Sequence, residues 1–451
     1  MKHQYLWWQK VVVEHERRHA VEEGRDIAPL AGEFASLQAA DLAEDEVFQH
    51  RVNELMDRVA KLPIRGDFPY REPSDLEGIR AERPPGPRRL ELKLTDEALT
   101  DRLYGAWSGR CAGCLLGKPL EGLRTNVLWA LLRDAGCDGL SDYLWRMDIP
   151  EELFAKHKLT ERILAFGRSV QHMPEDDDTN FTVTALAIVK KHGLNFTPEN
   201  VGDFWIHNIP LMHTCTAERI AYRNFTANVL PPASATFRNP CREWIGAQIR
   251  ADFFGYVAAG DPQLAAELAW RDACISHTRN GIYGEMWVAA MLAAAAVAAT
   301  DNPAEIIEIG LSQVPARSRF TEGIRDVLTW RKQGSSYAQA VDRIHKRWNE
   351  HNWHDWHHTI ANAQLVAIAM LWGGSDFGSV ITKAVYPCFD TDCNGATAGS
   401  VAGMMLGASR ISGKWTDLMN DTLHTGVSGY HVVKISGLAA ETLKLLKANR
   451  T

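Results

Sequence analysis

The apolar positions beyond residue 95 follow the periodicity of helices. Alanine-rich apolar runs occupy residues 263–272, 286–299 and 361–371, a composition that favours helix interiors. Alternating apolar and polar segments joined by hairpin turns, which would indicate strands, are almost absent. The pattern predicts an all-α fold in which residues 96–451 form a single large helical domain.

Residues 1–95 differ from the rest of the chain. Charged helical patterns at 11–18 and 44–60 are followed by a stretch rich in proline and glycine at 63–89. Proline and glycine at this density disfavour the interiors of helices and strands. We therefore expect a helical N-terminal extension that an irregular linker joins to the large domain, with a role that the sequence does not reveal.

Two segments carry glycines at intervals of four residues. The first series is Gly105, Gly109, Gly113 and Gly117, and the second is Gly395, Gly399, Gly403 and Gly407. Each series lies along one face of a helix, and each glycine costs about 1 kcal/mol relative to alanine there. Close approach to a neighbouring helix would offset that cost. The sequence predicts two central, tightly packed helices, the first of which ends at Gly117 because Pro119 cannot continue it.

Two acidic motifs precede predicted helices. They are Glu175-Asp-Asp-Asp-Thr-Asn180, before the helix predicted at 181–191, and Asp390-Thr-Asp-Cys-Asn394, before the second glycine series. Such residues cap helix N-termini, but three consecutive aspartates repel each other unless a cation neutralises them. Carboxylate and hydroxyl oxygens are ligands for hard divalent cations. Capping and a dinuclear metal site both remain open, whereas an EF-hand is excluded because its glycine and glutamate positions are not matched.

Composition narrows the classes of function. The 451 residues include 49 Lys+Arg and 56 Asp+Glu, a formal charge of −7 that argues against a strongly basic nucleic-acid binder. Eight scattered cysteines give no disulfide scaffold, and the lone Cys111–Cys114 pair is expected to supply small helix residues. The longest apolar run, 14 residues, is shorter than the roughly 20 that cross a bilayer. We expect a cytoplasmic protein with no membrane or nucleic-acid partner.

The order of the motifs resembles the ADP-ribosylglycohydrolase family, which includes the dinitrogenase-reductase-activating glycohydrolases. Members typically begin with a helix like that of residues 101–113, which ends here in Leu-Gly-Lys-Pro-Leu-Glu121-Gly. They carry Asp-Asp-Thr at the head of a helix, matched by Asp177-Asp178-Thr179. Near the C-terminus they carry Asp-Thr-Asp before a helix rich in glycine and alanine, matched by residues 390–392 and 396–403. The resemblance covers about residues 98–410.

The resemblance implies an all-α, ADP-ribosylglycohydrolase-like fold with two divalent cations, Mg²⁺ in preference to Mn²⁺. The metal-ligand candidates are Asp176, Asp177, Asp178, Asp390 and Asp392. Glu121 matches a carboxylate that gates the cleft and acts at the reacting centre, and Asp178 is the second catalytic candidate. The substrate-binding candidates are His277, Gly246 and Asn394. For His277, a hydrogen-bonded histidine of the core is the alternative.

Four positions in the motifs depart from the family pattern. Asp176 and Cys393 each stand where the family usually has Thr or Ser, and Cys388-Phe389 replaces Gly-Gly. A thiol is a poorer Mg²⁺ ligand than a hydroxyl, whereas Asp176 adds a negative charge. The glycine-rich stretch of the family is also altered, at residues 244–250. These differences leave the substrate open.

The implied activity is metal-dependent hydrolysis at C1 of an ADP-ribosyl or related ribosyl substrate, which is either a small molecule or linked to a protein. The cations would orient ribose hydroxyls and a water, and carboxylates would take the proton of that water. One alternative is a hydrolase of nucleosides or other small N- or O-glycosides on the same fold. Another is a non-catalytic ADP-ribose-binding protein, against which the retained acidic residues argue.

A histidine-rich tract offers a different metal chemistry. If residues 351–358 are helical, then His351, His354 and His358 lie on one face of the helix. Histidines arranged in this way could bind a zinc ion. The tract lacks a His-Glu-x-x-His motif, and an aromatic helix face carrying Trp353 and Trp356 explains it as well.

Overall fold

The computed structural model describes residues 2–39, 45–298 and 301–449, and this part of the chain is almost entirely helical. The N-terminal helices are α1 (Val11–Glu22), α2 (Ala31–Ala39), α3 (Glu46–Val59) and α4 (Leu76–Glu82). The next are α5 (Asp96–Gly117), α6 (Thr125–Asp134), α7 (Glu151–Lys156), α8 (Phe166–Ser169), α9 (Asp177–His192), α10 (Pro198–Asn208), α11 (Thr216–Thr226), α12 (Ala233–Thr236), α13 (Asp252–Val257) and α14 (Pro262–Ala273). The last are α15 (Asn280–Ala295), α16 (Pro303–Leu311), α17 (Arg319–Lys332), α18 (Tyr337–Arg347), α19 (Trp353–His357), α20 (Thr359–Gly373), α21 (Phe377–Val385), α22 (Thr391–Leu406), α23 (Gly413–Thr416) and α24 (Ile435–Ala448). The predicted all-α fold is confirmed.

Two short strands complete the described elements. β1 (Thr422–His424) and β2 (Val432–Lys434) pair antiparallel, with Leu423 opposite Val433. Short 3-10 helices link several α-helices, among them Lys118–Leu120 directly after α5. Within the described ranges, no helix is long and apolar enough to cross a membrane.

The apolar runs in the sequence match helices closely. The runs at 263–272 and 361–371 lie in α14 and α20, and the run at 286–299 lies largely in α15, its last residue being outside the described ranges. The patterns at 11–18 and 44–60 lie in α1 and α3, with residue 44 also outside those ranges. The expectation that 63–89 is wholly irregular is wrong: α4 forms there because the Asp75 carboxylate accepts a hydrogen bond from the Gly78 N–H at 2.7 Å.

The two glycine series pack against each other. A methyl group at Gly105, Gly109 or Gly113 would overlap the carbonyl oxygen of the paired glycine in α22, and the reverse holds as well. The pairs are Gly105 with Gly403, Gly109 with Gly399, and Gly113 with Gly395. The predicted packing of the two helices is confirmed, as is the end of α5 at Gly117.

Gly407 has a different function from the other glycines in its series. It follows the last residue of α22 and ends the helix with φ +83°, a conformation that favours glycine. A methyl group there would meet the Asp101 side chain instead of the α5 backbone.

The N-terminal helices have an apolar core of their own that continues onto the large helical unit. Its buried side chains come mostly from α1, α2 and α3 and include Trp8, Phe34 and Phe48. The core also includes four residues from later in the chain: Ala217, Ile220, Cys241 and Trp244. The N-terminal segment therefore packs directly on α11 and on the loop that contains Trp244.

Candidate active site

The first acidic motif forms the N-terminus of α9, where Asp176 is the capping residue. One oxygen of its carboxylate accepts a hydrogen bond from the Asp178 N–H at 3.0 Å. The other lies 2.6 Å from the Lys118 Nζ, which donates to it. Both oxygens of Asp176 therefore have protein partners, one through helix capping and the other through the ion pair with Lys118.

Asp178 is held by a buried arginine. Arg110, near the middle of α5, donates to the Asp178 Oδ1 at 3.1 Å and to the Asp252 Oδ2 at 2.9 Å, and all three side chains are fully buried. The second oxygen of Asp178, Oδ2, is buried without a hydrogen-bond partner among the described residues. A buried carboxylate oxygen without a partner is costly, so this oxygen is free to bind a ligand.

The second acidic motif forms the N-terminus of α22. Cys388 and Phe389, both fully buried, turn the chain into it with φ of +63° and +60°. Asp392 is 5% exposed, and its Oδ1 likewise has no hydrogen-bond partner in the described part of the chain. Asp178, Asp392 and Cys393 each offer an atom within 4.8 Å of the others. The two motifs, more than 200 residues apart in sequence, thus share one site.

The α5–α22 contact brings the two motifs together. At its end, the Thr391 Oγ1 donates to the Gly117 carbonyl at 2.9 Å, and a methyl group at Gly117 would overlap the backbone of Thr391. Because Lys118 follows Gly117 and holds Asp176, the end of α5 contacts both acidic helix termini.

Burial and like charges raise the pKa of the clustered carboxyl groups. The pKa of Asp390 is raised to about 7 by burial and by the negative charge of Glu121. Burial also raises the pKa values of Asp177, Asp178 and Asp392, with added repulsion from Asp176 for the first two and from Glu121 for Asp392. Repulsion of this kind is relieved when a cation binds. The cluster therefore has the charge and oxygen donors that a divalent cation requires.

Two thiols border the carboxylates. Cys114, on α5, lies within 4.8 Å of Asp176 and Asp178 by their closest ligand atoms, and Cys393 follows Asp392. Burial, together with the neighbouring carboxylates, raises the pKa of both thiols well above the usual value. Because the thiolate is the form that binds metals, the carboxylates are the better ligands here.

Glu121 lies at the outer edge of this site, directly after the 3-10 helix Lys118–Leu120. Its side chain is exposed, and its backbone carbonyl accepts a hydrogen bond from Arg162. Partial desolvation and the nearby charge of Asp176 raise its pKa. An exposed carboxyl group with a raised pKa at the edge of a site is suited to exchange protons with a bound molecule.

Comparisons with known proteins identify the family of this chain. The sequence model of the ADP-ribosylglycohydrolase family matches residues 95–449. This chain belongs to the ADP-ribosylglycohydrolase family. It is therefore a glycosidase, a hydrolase of the ADP-ribosylglycohydrolase type.

Solved structures support the same fold. One, described as an "ADP-ribosylglycohydrolase-related protein complex", has a TM-score of 0.51 and 18% identity over 78% of this chain and 99% of that chain. No curated protein matches the sequence.

The departures from the family pattern now have a structural context. Cys388 and Phe389 adopt left-handed backbone conformations, which explains why glycines suit these positions. Non-glycine residues are strained there, and their complete burial in the core holds the turn.

The substrate-binding candidates lie in different parts of the fold. Asn394 is in the first turn of α22; its amide donates to the Asn362 Oδ1 at 2.8 Å, and its own Oδ1 has no partner among the described residues. Gly246 lies against the Glu218 carboxylate, where any side chain would clash. The charge of Glu218 is one of the causes that raise the pKa of Asp177.

His277 lies in the turn between α14 and α15 and is 1% exposed. Its Nδ1 is 2.8 Å from the Ser276 Oγ, and within the described ranges its Nε2 has no partner. Burial and the positive charge of Arg250 lower its pKa well below the usual value, so the imidazole is neutral. The hydrogen-bonded core histidine and the ligand-facing histidine are both compatible with these contacts.

The prediction that His351, His354 and His358 share one helical face is wrong. The helix α19 spans only Trp353–His357, and His358 is the capping residue of α20. The His351 side chain is 59% exposed, whereas those of His354 and His358 are fully buried. An extended bend at His358 separates the two helices, so a continuous helical face does not exist.

Sequence reasoning assigned no role to Arg110, Lys118 or Asp252. The signal for Arg110 was present, since an arginine in the middle of a glycine-rich buried helix needs acidic partners. Asp252 and Lys118 have no comparable signal, because their contacts with the cluster depend on how α13 and the end of α5 are placed.

Replacing Lys118 with Gln is expected to strengthen binding of Mn²⁺ about 3- to 10-fold, since it removes a positive charge beside the carboxylates and frees an oxygen of Asp176. Titration of Mn²⁺ followed by electron paramagnetic resonance measures the change. The control is Lys156→Gln, which removes an exposed lysine paired with Asp134 and should leave binding unchanged. Weaker binding in Lys118→Gln would show instead that Lys118 holds Asp176 in the geometry of a ligand.

Proposed function

We propose that this protein hydrolyses the C1 glycosidic bond of an ADP-ribosyl or related ribosyl substrate with the aid of two divalent cations. The observation that carries the proposal is the convergence of Asp178 and Asp392. Each presents a buried carboxylate oxygen with no hydrogen-bond partner among the described residues, and the two residues offer ligand atoms within 4.8 Å of each other. Helix N-termini on α9 and α22 hold them in place.

The donor set fits hard cations. Carboxylate oxygens predominate, which favours Mg²⁺ or Mn²⁺ over softer metals. Asp178 and Asp392 are the central ligands in this proposal, and Asp177 and Asp390, whose pKa values respond to the same charges, complete the set. When bound, such ions orient the ribose hydroxyls and acidify a water molecule.

The carboxyl groups divide the proton transfers between them. Asp178, one of whose oxygens is fixed by Arg110, is positioned to accept a proton from the attacking water. Glu121 has a raised pKa and therefore keeps its proton closer to neutral pH, so it can protonate the leaving group. Positive charge that develops on the sugar ring is stabilised by the remaining carboxylates.

The proposal also assigns roles to the two parts of the chain and to the substrate-binding candidates. Residues 96–451 form the catalytic domain and residues 1–95 an extension, with His277, Gly246 and Asn394 contacting the substrate. The protein acts on its ribosyl substrate away from membranes and nucleic acids, in the cytoplasm.

A substrate panel tests the activity and separates it from its alternatives. The purified protein, with Mg²⁺ or Mn²⁺, is assayed on an ADP-ribosylated protein, on free ADP-ribosyl compounds, and on nucleosides and simple glycosides. We expect release of ADP-ribose from the first or second class, and a loss of at least about 100-fold on chelation that added Mg²⁺ reverses. Turnover of simple glycosides alone would favour the first alternative. Tight binding of ADP-ribose in a thermal-shift assay with no turnover on any substrate would favour a binding protein.

A further inference from the structure

A second group of potential metal ligands, which shares no residue with the carboxylate cluster, lies where the N-terminal helix α1 meets the histidine-rich tract. We call it the His19 cluster, and it consists of His19, Glu22, His354 and His358. The Glu22 Oε2 is 3.0 Å from the His354 Nε2 and 3.5 Å from the His358 Nε2. The imidazole centroids of His19 and His354 are 4.5 Å apart, with an interplanar angle of 76°.

His19 is the unexplained member of this cluster. Its side chain is 0% exposed, and neither ring nitrogen has a hydrogen-bond partner among the described residues. A neutral imidazole has one N–H group and one acceptor nitrogen, and an imidazolium has two N–H groups, so burying both nitrogens without partners is unfavourable in either state. The side chain lies beside two other histidines and a glutamate, so its nitrogens face groups that bind metals.

The donor atoms have nearly the spacing of a metal site. His19, Glu22 and His354 each offer an atom within 4.8 Å of the other two. In tetrahedral zinc sites with bonds of about 2.0–2.1 Å, neighbouring donor atoms are roughly 3.3 Å apart. Small side-chain rotations are therefore enough to bring the three donors to bonding distance of one ion.

We propose that His19, Glu22 and His354 form a Zn²⁺ site that joins α1 to the segment carrying α19. Two imidazole nitrogens and one carboxylate oxygen suit zinc, whereas Mg²⁺ prefers an all-oxygen set. The fourth position is left to a water molecule. The proposal is independent of the glycohydrolase activity, because none of these residues belongs to the carboxylate site.

His358 supports the carboxylate instead of binding the ion. Its Nδ1 accepts a hydrogen bond from the Ile360 N–H at 3.2 Å, so its ring proton is on Nε2, which faces Glu22. That nitrogen lies 3.5 Å from the Glu22 Oε2 and has no hydrogen-bond partner among the described residues, so a small shift would let its N–H support the carboxylate as the outer partners of metal ligands do. The other Glu22 oxygen lies 3.6 Å from Arg18.

Binding through the His354 Nε2 has a defined cost. The Trp244 Nε1 donates to the His354 Nδ1 at 3.3 Å, a long bond that is lost when the ring proton moves to Nδ1. In exchange, His19 gains a partner for a nitrogen that has none. Two hydrogen bonds are lost, this long one and the 3.0 Å contact between the His354 Nε2 and the Glu22 Oε2, and three coordination bonds replace them, which favours the metal.

A second possible ligand set also includes His19, but the charges of its carboxylates are already neutralised by arginines. Glu23 and Glu243 also lie within 4.8 Å of His19 by their closest ligand atoms. Arg242 binds Glu23 at 2.6 Å, and Arg319 binds Glu243 at 2.8 Å. These carboxylates have arginine partners, whereas the Glu22 Oε2 is directed to imidazoles.

The full-length protein is equilibrated with ZnCl₂ and passed through a gel-filtration column. The zinc that remains bound is then measured by elemental mass spectrometry. Co²⁺ replacement provides the ligand-field spectrum of a tetrahedral site. We expect close to one Zn²⁺ per chain, retained in Asp392→Asn, which separates this site from the carboxylate cluster. We expect at least a 10-fold loss of affinity in Glu22→Gln and His19→Ala. The matched control is His351→Ala, since His351 is the exposed histidine of the same tract.

Thermal unfolding distinguishes metal loss from misfolding. Wild type should gain stability when Zn²⁺ is added, and Glu22→Gln, whose side chain keeps its shape, should fold without that gain. The proposal is overturned if wild type binds no zinc at micromolar concentrations, if His19→Ala binds it as tightly as wild type, or if Co²⁺ gives an octahedral spectrum.

Discussion

Replacing Asp392 with Asn is expected to reduce glycohydrolase turnover by about a thousand-fold or more, equivalent to roughly 4 kcal/mol in the activation free energy. The substitution keeps the shape of the side chain but removes the negative charge of a carboxylate that has an oxygen without a partner among the described residues and a ligand atom within 4.8 Å of one of Asp178. Bound Mg²⁺ or Mn²⁺ should fall with it, as equilibrium dialysis can show.

The same substitution should leave the metal-free protein as stable as wild type, or slightly more stable. Burial and the charges of Glu121 and Asp390 raise the pKa of Asp392, which means that its ionised form is destabilised in the folded state. The control is Asp376→Asn at the exposed N-terminus of α21, where the side chain only caps the helix. Full activity and metal content in Asp392→Asn would contradict the proposed role of this carboxylate.

Replacing Gly113 with Ala is expected to destabilise the protein by about 3 kcal/mol or more, or to prevent folding. The added methyl group would overlap the Gly395 carbonyl. That oxygen belongs to the backbone of α22, so it cannot rotate away as a side chain would. Denaturant unfolding measures the free energy, and metal binding should weaken in parallel because α5 and α22 position the two acidic motifs.

The control for Gly113→Ala is Gly32→Ala. Gly32 also lies within a helix, α2, but a methyl group there would have no neighbour within 4 Å among the described residues. Alanine should therefore stabilise α2 by up to about 1 kcal/mol. Equal effects at the two positions would show that helix propensity, not close packing, explains the glycine series.

The contact between the glycine helices positions the carboxylate site. Three reciprocal glycine pairs bring the α5 and α22 backbones together. Since Asp392 lies in the first turn of α22 and α5 ends beside the residue that holds Asp176, the packing sets the separation of the acidic groups. The glycines along α5 and α22 thus determine how close the carboxylate oxygens of the two acidic motifs come to each other.

The sequence by itself determined the helical class, the two glycine helices and the acidic motifs that precede α9 and α22. Each of these is local: helix periodicity, capping residues and spacing are properties of neighbours in the chain. The close packing of the two glycine helices, and the end of α5 at Gly117, also followed from local rules combined with the cost of glycine in a helix.

Only the tertiary structure decided which of these groups meet. It placed Arg110 on Asp178 and Lys118 on Asp176, separated His351 from His354, and brought His19 of the N-terminal helix to the histidine-rich tract. Such contacts join residues dozens to hundreds of positions apart, and they depend on the summed packing of many helices. Local patterns do not report how many helices pack together, which is why the sequence could name the acidic candidates but not their partners.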